Sequence, residues 1–305
     1  MHIVVAIDGS PSCASTIKFL NHRAALKKPG STLDLLNVQY LIPEGIRKQF
    51  EIESVDAFYE SQGRLVFEEI EDTIQATTIP YKTVIKSGEL APTIVAYADE
   101  TQADLIAMGS RGHSGIFNLL LGSVSNAVLA RTKKPVLLVH KNSPMAADPL
   151  RVGIAVDGSE YGQAAAKFII EHKDFFGENA TFTVMNVVPD FPTLVGEKFT
   201  SECMGFAEPS LLDPNGQELD LITRQQEAFK KVTDPIIAQL LDAGLKVESA
   251  RLEGVPHKAL AWYAKKNCDL VICGSHGRGA FERAVLGTTA MHLASDIDQP
   301  LLIIR

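Results

Sequence analysis

Short, continuously apolar runs alternate along this chain with longer stretches in which apolar residues recur every three or four positions. Ile3–Ile7, Leu105–Met108 and Pro135–Val139 are of the first kind, and their lack of alternation suits strands of a parallel sheet covered on both faces, while Thr32–Val38 and Tyr81–Lys86, with polar residues among the apolar ones, read as the second and third strands. Between them the helical period predicts helices over Cys13–Leu26, with Ser10 or Ser12 as its cap, and over Ser54–Ala76, with Leu65, Phe67, Ile70 and Ile74 near one face. Two further helices are expected at Pro92–Glu100, where Pro92 suits a first turn, and at Val124–Arg131. The resulting order βαβαβαβαβ predicts a parallel α/β sheet.

After a polar linker, Lys141–Pro149, the same pattern begins again. Val152–Val156 repeats the first strand, Asp157-Gly-Ser159 repeats Asp8-Gly-Ser10, Met185-Asn-Val187 answers Leu36-Asn-Val38, and Pro300–Ile304 answers Pro135–Val139. The offset is 149 residues at the first two strands and 165 from the fourth strand on, so the second copy carries about 16 additional residues. They fall at about residues 190–220, a stretch with seven acidic side chains against Lys198 that reads as a loop, either solvated or a lid or partner surface. The 305 residues therefore divide into two expected domains, 1–141 and 150–305.

Composition adds limits. Apolar residues make up 46%, enough for a core in each half, and the net charge of −8 gives no basic face for nucleic acid. The acidity is uneven: 14 basic and 15 acidic residues up to position 145, then 15 and 22. No apolar run approaches the ~20 residues that cross a bilayer, so no membrane role is expected. Cys13, Cys203, Cys268 and Cys273 form neither a disulfide framework nor a Cys-x-x-Cys element, which points to a reducing cytoplasm.

Candidate chemistry lies where the repeat is densest in glycine. Gly109-Ser-Arg-Gly112 is followed after nine residues by Gly122-Ser123, and Gly274-Ser-His-Gly277 after nine by Gly287-Thr288. Each set follows a strand and opens a helix. Glycine permits positive φ and close approach of the backbone to a ligand, and the unpaired N–H groups of a helix N-terminus favour an anion. The hydroxyls of Ser123, Ser125, Thr288 and Thr289 add hydrogen bonds suited to phosphate, and Arg111 and His276 offer charge from within the loops. Asp8 and Asp157 stand at strand ends, where an aspartate commonly caps the helix that follows. Cys268, Cys273 and His276 are close in sequence, but Cys273 belongs to an apolar strand, and no metal site is expected. No nucleophile or carboxylate pair accompanies His113, so no catalytic residue is assigned.

Taken together, the Asp-Gly-Ser strand ends, the Asn-Val strand ends and both spaced glycine loops resemble the universal stress protein family, specifically its tandem members. The resemblance implies two adenine-nucleotide α-hydrolase-like domains, each a five-stranded parallel sheet of order 3-2-1-4-5, paired as an intrachain pseudo-dimer; a further homodimer stays open. It implies an adenine nucleotide such as ATP, with or without Mg²⁺, across the carboxyl ends of the strands. The first site would be Ala6, Asp8, Val38, Gly109, Arg111, Gly112, Gly122, Ser123, Val124 and Ser125. The second would be Ala155, Asp157, Val187, Gly274, His276, Gly277, Gly287, Thr288 and Thr289. Within these sets the aspartates meet ribose or metal and the valine backbones meet the adenine edge. Neither loop has the lysine of a Gly-x4-Gly-Lys-(Ser/Thr) loop. The expectation is thus a stress or signalling module that binds ATP without rapid turnover and acts through unidentified protein partners. A slow ATPase or phosphotransfer enzyme, or one half taking a different ligand, is the alternative.

Overall fold

Apolar side chains alternate faces along every strand, Ile3, Val5 and Ile7 pointing one way and Val4 the other, so the sheet must be covered twice. The computed structural model describes residues 1–42, 45, 48, 52–110, 121–188, 221–277 and 286–305. The expected insertion at 190–220 lies outside the described residues, as do Arg111, Gly112 and His113. The described strands are β1 (His2–Ile7), β2 (Thr32–Gln39), β3 (Tyr81–Ser87), β4 (Leu105–Gly109), β5 (Val136–Val139), β6 (Arg151–Ala155), β7 (Thr181–Val188), β8 (Lys246–Glu253), β9 (Leu270–Gly274) and β10 (Leu301–Ile304).

They form one ten-stranded sheet in the order β3-β2-β1-β4-β5-β10-β9-β6-β7-β8. Counted within each half, both orders are 3-2-1-4-5, and all neighbours are parallel except at the centre. There β5 and β10 run antiparallel, with Leu138 opposite Leu301 and Val136 opposite Ile303. An antiparallel seam between like halves implies a pseudo-two-fold axis perpendicular to the sheet. Equivalent helices therefore lie on the same face.

The described helices are α1 (Pro11–Asn21), α2 (Ile52–Glu68), α3 (Glu71–Gln75), α4 (Leu90–Glu100), α5 (Ser123–Arg131), α6 (Glu160–Glu171), α7 (Leu221–Asp242), α8 (Pro256–Asn267) and α9 (Thr288–Asp296). One face of the sheet buries Phe19 of α1, Ile74 of α3, Ile169 of α6 and Leu240 of α7. The other buries Ile94 of α4, Leu129 of α5, Leu260 of α8 and Leu293 of α9. Each core runs through both halves, so the chain folds around two shared layers.

Two helix expectations are corrected. The stretch predicted as one helix over 54–76 is two, because the chain turns at Ile70 (φ −122°, ψ 19°). The turn lets Ile70 and Ile74 both reach the core, while Leu65 remains 50% exposed on the outer side. The stretch Cys13–Leu26 also breaks: α1 ends at Asn21, and a 3₁₀ turn covers Ala24–Lys27. Its cap is Ser10, whose Oγ accepts the Cys13 N–H at 3.3 Å; Ser12 instead packs inside the helix.

The break after α1 places Arg23 with no solvent exposure. Its Nη1 lies 2.7 Å from Asp148 Oδ1, Nη2 donates to the Ala146 carbonyl, and the guanidinium stands 4.8 Å above the Phe19 ring. Burial holds this guanidinium below its ordinary pKa, and the charge of Asp148 opposes that shift. The other Asp148 oxygen accepts the Ala24 N–H at 2.8 Å. The linker between the halves is thereby fixed to the first domain. Across the seam, Ser143 Oγ donates to the Asp298 carbonyl at 2.7 Å and Arg305 Nε to that of Thr132 at 3.2 Å.

Candidate functional site

Asp8 and Asp157 sit just past the carboxyl ends of β1 and β6, where the strand order reverses and the sheet opens into a crevice. In each Asp-Gly-Ser turn the carboxylate Oδ1 accepts the serine N–H at 3.0 Å. Gly9 and Gly158 take φ of 77° and 82°, which a side chain would strain. Neither aspartate serves as the helix cap: Ser10 is the N-cap of α1 and Ser159 that of α6.

The glycine loops make a different demand from the one anticipated. None of Gly109, Gly122, Gly274, Gly277 and Gly287 has a positive φ. What they require is space. A Cβ on Gly274 would come within 2.4 Å of Tyr161 Cβ, and one on Gly109 within 2.7 Å of Ser12 Cβ, so these glycines let α6 and α1 press against β9 and β4. A Cβ on Gly277 would fall 2.6 Å from Asp157 Oδ2, so that glycine brings the loop onto the aspartate. Among the described residues a backbone hydrogen bond joins the two ends of the loop in each half, Gly122 N to Ser110 O at 2.9 Å and Gly287 N to Ser275 O at 2.7 Å.

All nine candidates in the second half, Ala155, Asp157, Val187, Gly274, His276, Gly277, Gly287, Thr288 and Thr289, line one cavity of about 500 Å³. Its walls differ in chemistry. Ala155, Val187, Pro256 and Leu260 supply an apolar side, whereas Asp157, Gly277 and the start of α9 supply a polar one. The N-cap of α9 is Gly287 and that of α5 is Gly122, neither with a side-chain capping bond or an acidic residue in the first turn. Among the described residues no side chain caps either helix start, and first-turn N–H groups of this kind suit an anion or water.

In the first half, Ala6 on β1 is flanked in register by Leu36 and Met108. Val38 is near the end of β2, Gly109 ends β4, and Ser123, Val124 and Ser125 open α5. Ser123 and Val124 also line a groove of about 480 Å³ with Tyr40, Leu41 and Leu90. Ser125 is buried, and its hydroxyl donates to the Gly109 carbonyl at 3.0 Å. That bond braces the loop; Ala290 holds the corresponding helix position in the second half.

Some contributors escape a reading of the sequence. Asn37 and Asn186 are buried, and each donates at 2.8 Å to the carbonyl of the residue before the aspartate, Ile7 or Val156. They satisfy the carbonyl just before each aspartate, where the sheet parts. Their repetition beside Val38 and Val187 was the available signal. Tyr161, a wall of the cavity 6.1 Å ring to ring from His276, had none, because the first half has Ser12 there.

Among the described residues no group of three or more His, Cys, Asp or Glu could hold a metal ion. Cys273 and Cys268 are buried, Cys268 Sγ lying 2.7 Å from where a Cβ on Gly153 would stand. Burial pushes the thiols of Cys13, Cys268 and Cys273 up to about 12, with the charge of Asp8 adding to the effect at Cys13. Since the thiolate is the reactive form, iodoacetamide at mildly alkaline pH is expected to leave these three unmodified in the folded protein. It should label them all in urea, as peptide mass spectrometry would show; native labelling of Cys273 would contradict the burial assigned here.

No helix among the described residues is long and apolar enough to cross a membrane. In sequence, a universal stress protein of Mycolicibacterium smegmatis is 25% identical over 230 residues, covering 73% of this chain and 68% of its own. One of Mycobacterium tuberculosis, 21% identical, covers 99% of this chain and 94% of its own. In structure, a universal stress protein from Archaeoglobus fulgidus aligns over 100% of this chain and 96% of its own with a TM-score of 0.64 and 22% identity. The family model described as the universal stress protein family matches residues 1–140 and again residues 150–305, so the chain belongs to that family, with two such domains in tandem.

Proposed function

We propose that this chain binds an adenine nucleotide, ATP in the first instance, at the strand ends of each half, and acts in stress response or signalling by binding rather than by rapid turnover. The observation that carries this reading is the convergence on one 500 Å³ cavity of an apolar wall, the Asp157 carboxylate and the side-chain-uncapped start of α9. An aromatic base, a ribose and a phosphate chain need those three surfaces in that order. The duplicated Asp-Gly-Ser turn and loop closure extend the reading to the first half.

Neither loop carries a lysine for the phosphates, and fast hydrolysis needs both positioning and charge compensation. Isothermal titration with ATP, with and without Mg²⁺, tests the proposal. Two equivalents per chain are expected; one equivalent would remove one half from it, and no heat or protection against melting would sink it.

A further inference from the structure

The helix pair α4 and α8 shows where the two halves have diverged. Their buried positions correspond at an offset of 166 residues: Ile94 with Leu260, Tyr97 with Tyr263, and Ala98 with Ala264, all packed on the same face of the sheet. Their solvent positions do not correspond. Where α4 and its approach carry Glu89, Pro92, Ala96, Asp99 and Glu100, α8 and its approach carry Val255, Lys258, Trp262, Lys265 and Lys266. One helix presents small and acidic residues, and its duplicate presents lysines around an indole. In a chain of net charge −8, α8 has no acidic residue at all.

The exposure of this surface is large for its chemistry. Trp262, the chain's single tryptophan, is 60% exposed and Val255 is 50% exposed. Lys266 Nζ stands 4.0 Å from the indole centroid, so one lysine already screens part of the ring. On α4, Asp99 keeps 60% side-chain exposure although Lys134 Nζ is 3.7 Å away. Exposed tryptophan ringed by charge is characteristic of an interface anchor.

We infer that the α4 and α8 faces are the two halves of one self-complementary interface, and that the partner is a second copy of this chain stacked face to face on this helical layer. Because α4 and α8 share a face of the sheet, two arrangements with a two-fold axis in the sheet plane bring that layer against itself. An axis across the strands sets α4 on α4 and α8 on α8, acid against acid and lysine against lysine. An axis along the strands sets each α4 on the partner's α8, antiparallel, and closes both contacts at once. Charge selects the second. In it Trp262 covers the small residues Pro92 and Ala96, while Lys258 faces the Asp99 end and Lys265 and Lys266 face the Glu89 end.

Sedimentation velocity on the full chain decides this, with the emission of Trp262 as a second readout. A species of twice the chain mass should appear with rising concentration, with blue-shifted emission, and weaken as salt is raised because the contact is charged. W262A should raise the dimer dissociation constant about 30-fold. K258E/K265E/K266E should abolish the dimer, and adding E89K/D99K/E100K to that chain should restore it. These positions are exposed, and W262A carries the test if a charge reversal fails to fold. A monomer at all concentrations overturns the inference, as does a dimer indifferent to both variant sets. So does an emission shift produced by duplex DNA, anionic vesicles or polyglutamate while the mass stays that of one chain.

Discussion

Asp157→Ala should weaken ATP binding in the second half by about 10- to 100-fold, the cost of losing hydrogen bonds to a charged acceptor. One carboxylate oxygen is occupied by the Ser159 N–H at 3.0 Å, which fixes the side chain's direction. The other faces the Gly277 backbone and the cavity. Alanine removes both the acceptor and the turn that shapes the start of α6. Asp157→Asn separates the two roles, since its amide oxygen still accepts from Ser159 while the charge is gone. Calorimetry should show one tight and one weak site for either variant, with asparagine intermediate. Equal affinities for both variants and the parent chain would show that the aspartate shapes the turn and touches no ligand.

The largest loss of stability is expected from Arg23→Ala, at about 3–5 kcal/mol, because removing one partner of a buried ion pair strands the other. Asp148 would keep its charge without its guanidinium, the Ala146 carbonyl would lose a donor, and the Phe19 ring would lose its cover. Asp148→Ala alone should cost nearly as much, for the mirrored reason. The double variant should cost clearly less than the sum, since the two losses share one interaction. Urea titrations of the four chains give the coupling. Strict additivity would mean that the pair contributes packing alone.

Periodicity made the inner strands β1, β4 and β5 legible because strands covered on both faces leave uninterrupted apolar runs, and the repeat in register made their counterparts β6, β9 and β10 legible too. The order 3-2-1-4-5 and the pairing of the two halves, which the family resemblance implied and periodicity did not, are both present. Periodicity failed at Ile70, where an apolar spacing compatible with a continuous helix is also met by a turn that keeps Ile70 and Ile74 in the core. It failed again at Arg23, because nothing local shows that an arginine after a helix will be buried against a carboxylate 125 positions further on.

The glycine loops illustrate the same boundary at the site. Their spacing marked the right strand ends, yet the reason for glycine differs from the one spacing suggests. Gly109 and Gly274 are small because a helix from the opposite face presses on them, and the positive φ falls on Gly9 and Gly158 instead. Side-chain volume across a layer is invisible in one dimension. Tyr161 was missed for that reason: its place beside Gly274 depends on helix packing, and its counterpart Ser12 gives no hint of it.

By itself the sequence determined the duplication, the parallel α/β class, the strand ends where Asp8 and Asp157 stand, and the glycine-rich turns that precede α5 and α9. These are local properties, set by the period of apolar residues and by the few residue types a turn admits. Only the tertiary structure decided that the nine candidates of the second half line one cavity, that Asn37 and Asn186 bond the carbonyls before the two aspartates, and that α4 and α8 share a face with opposite charge. Those depend on which residues, distant along the chain, are brought together when an antiparallel seam joins two parallel sheets.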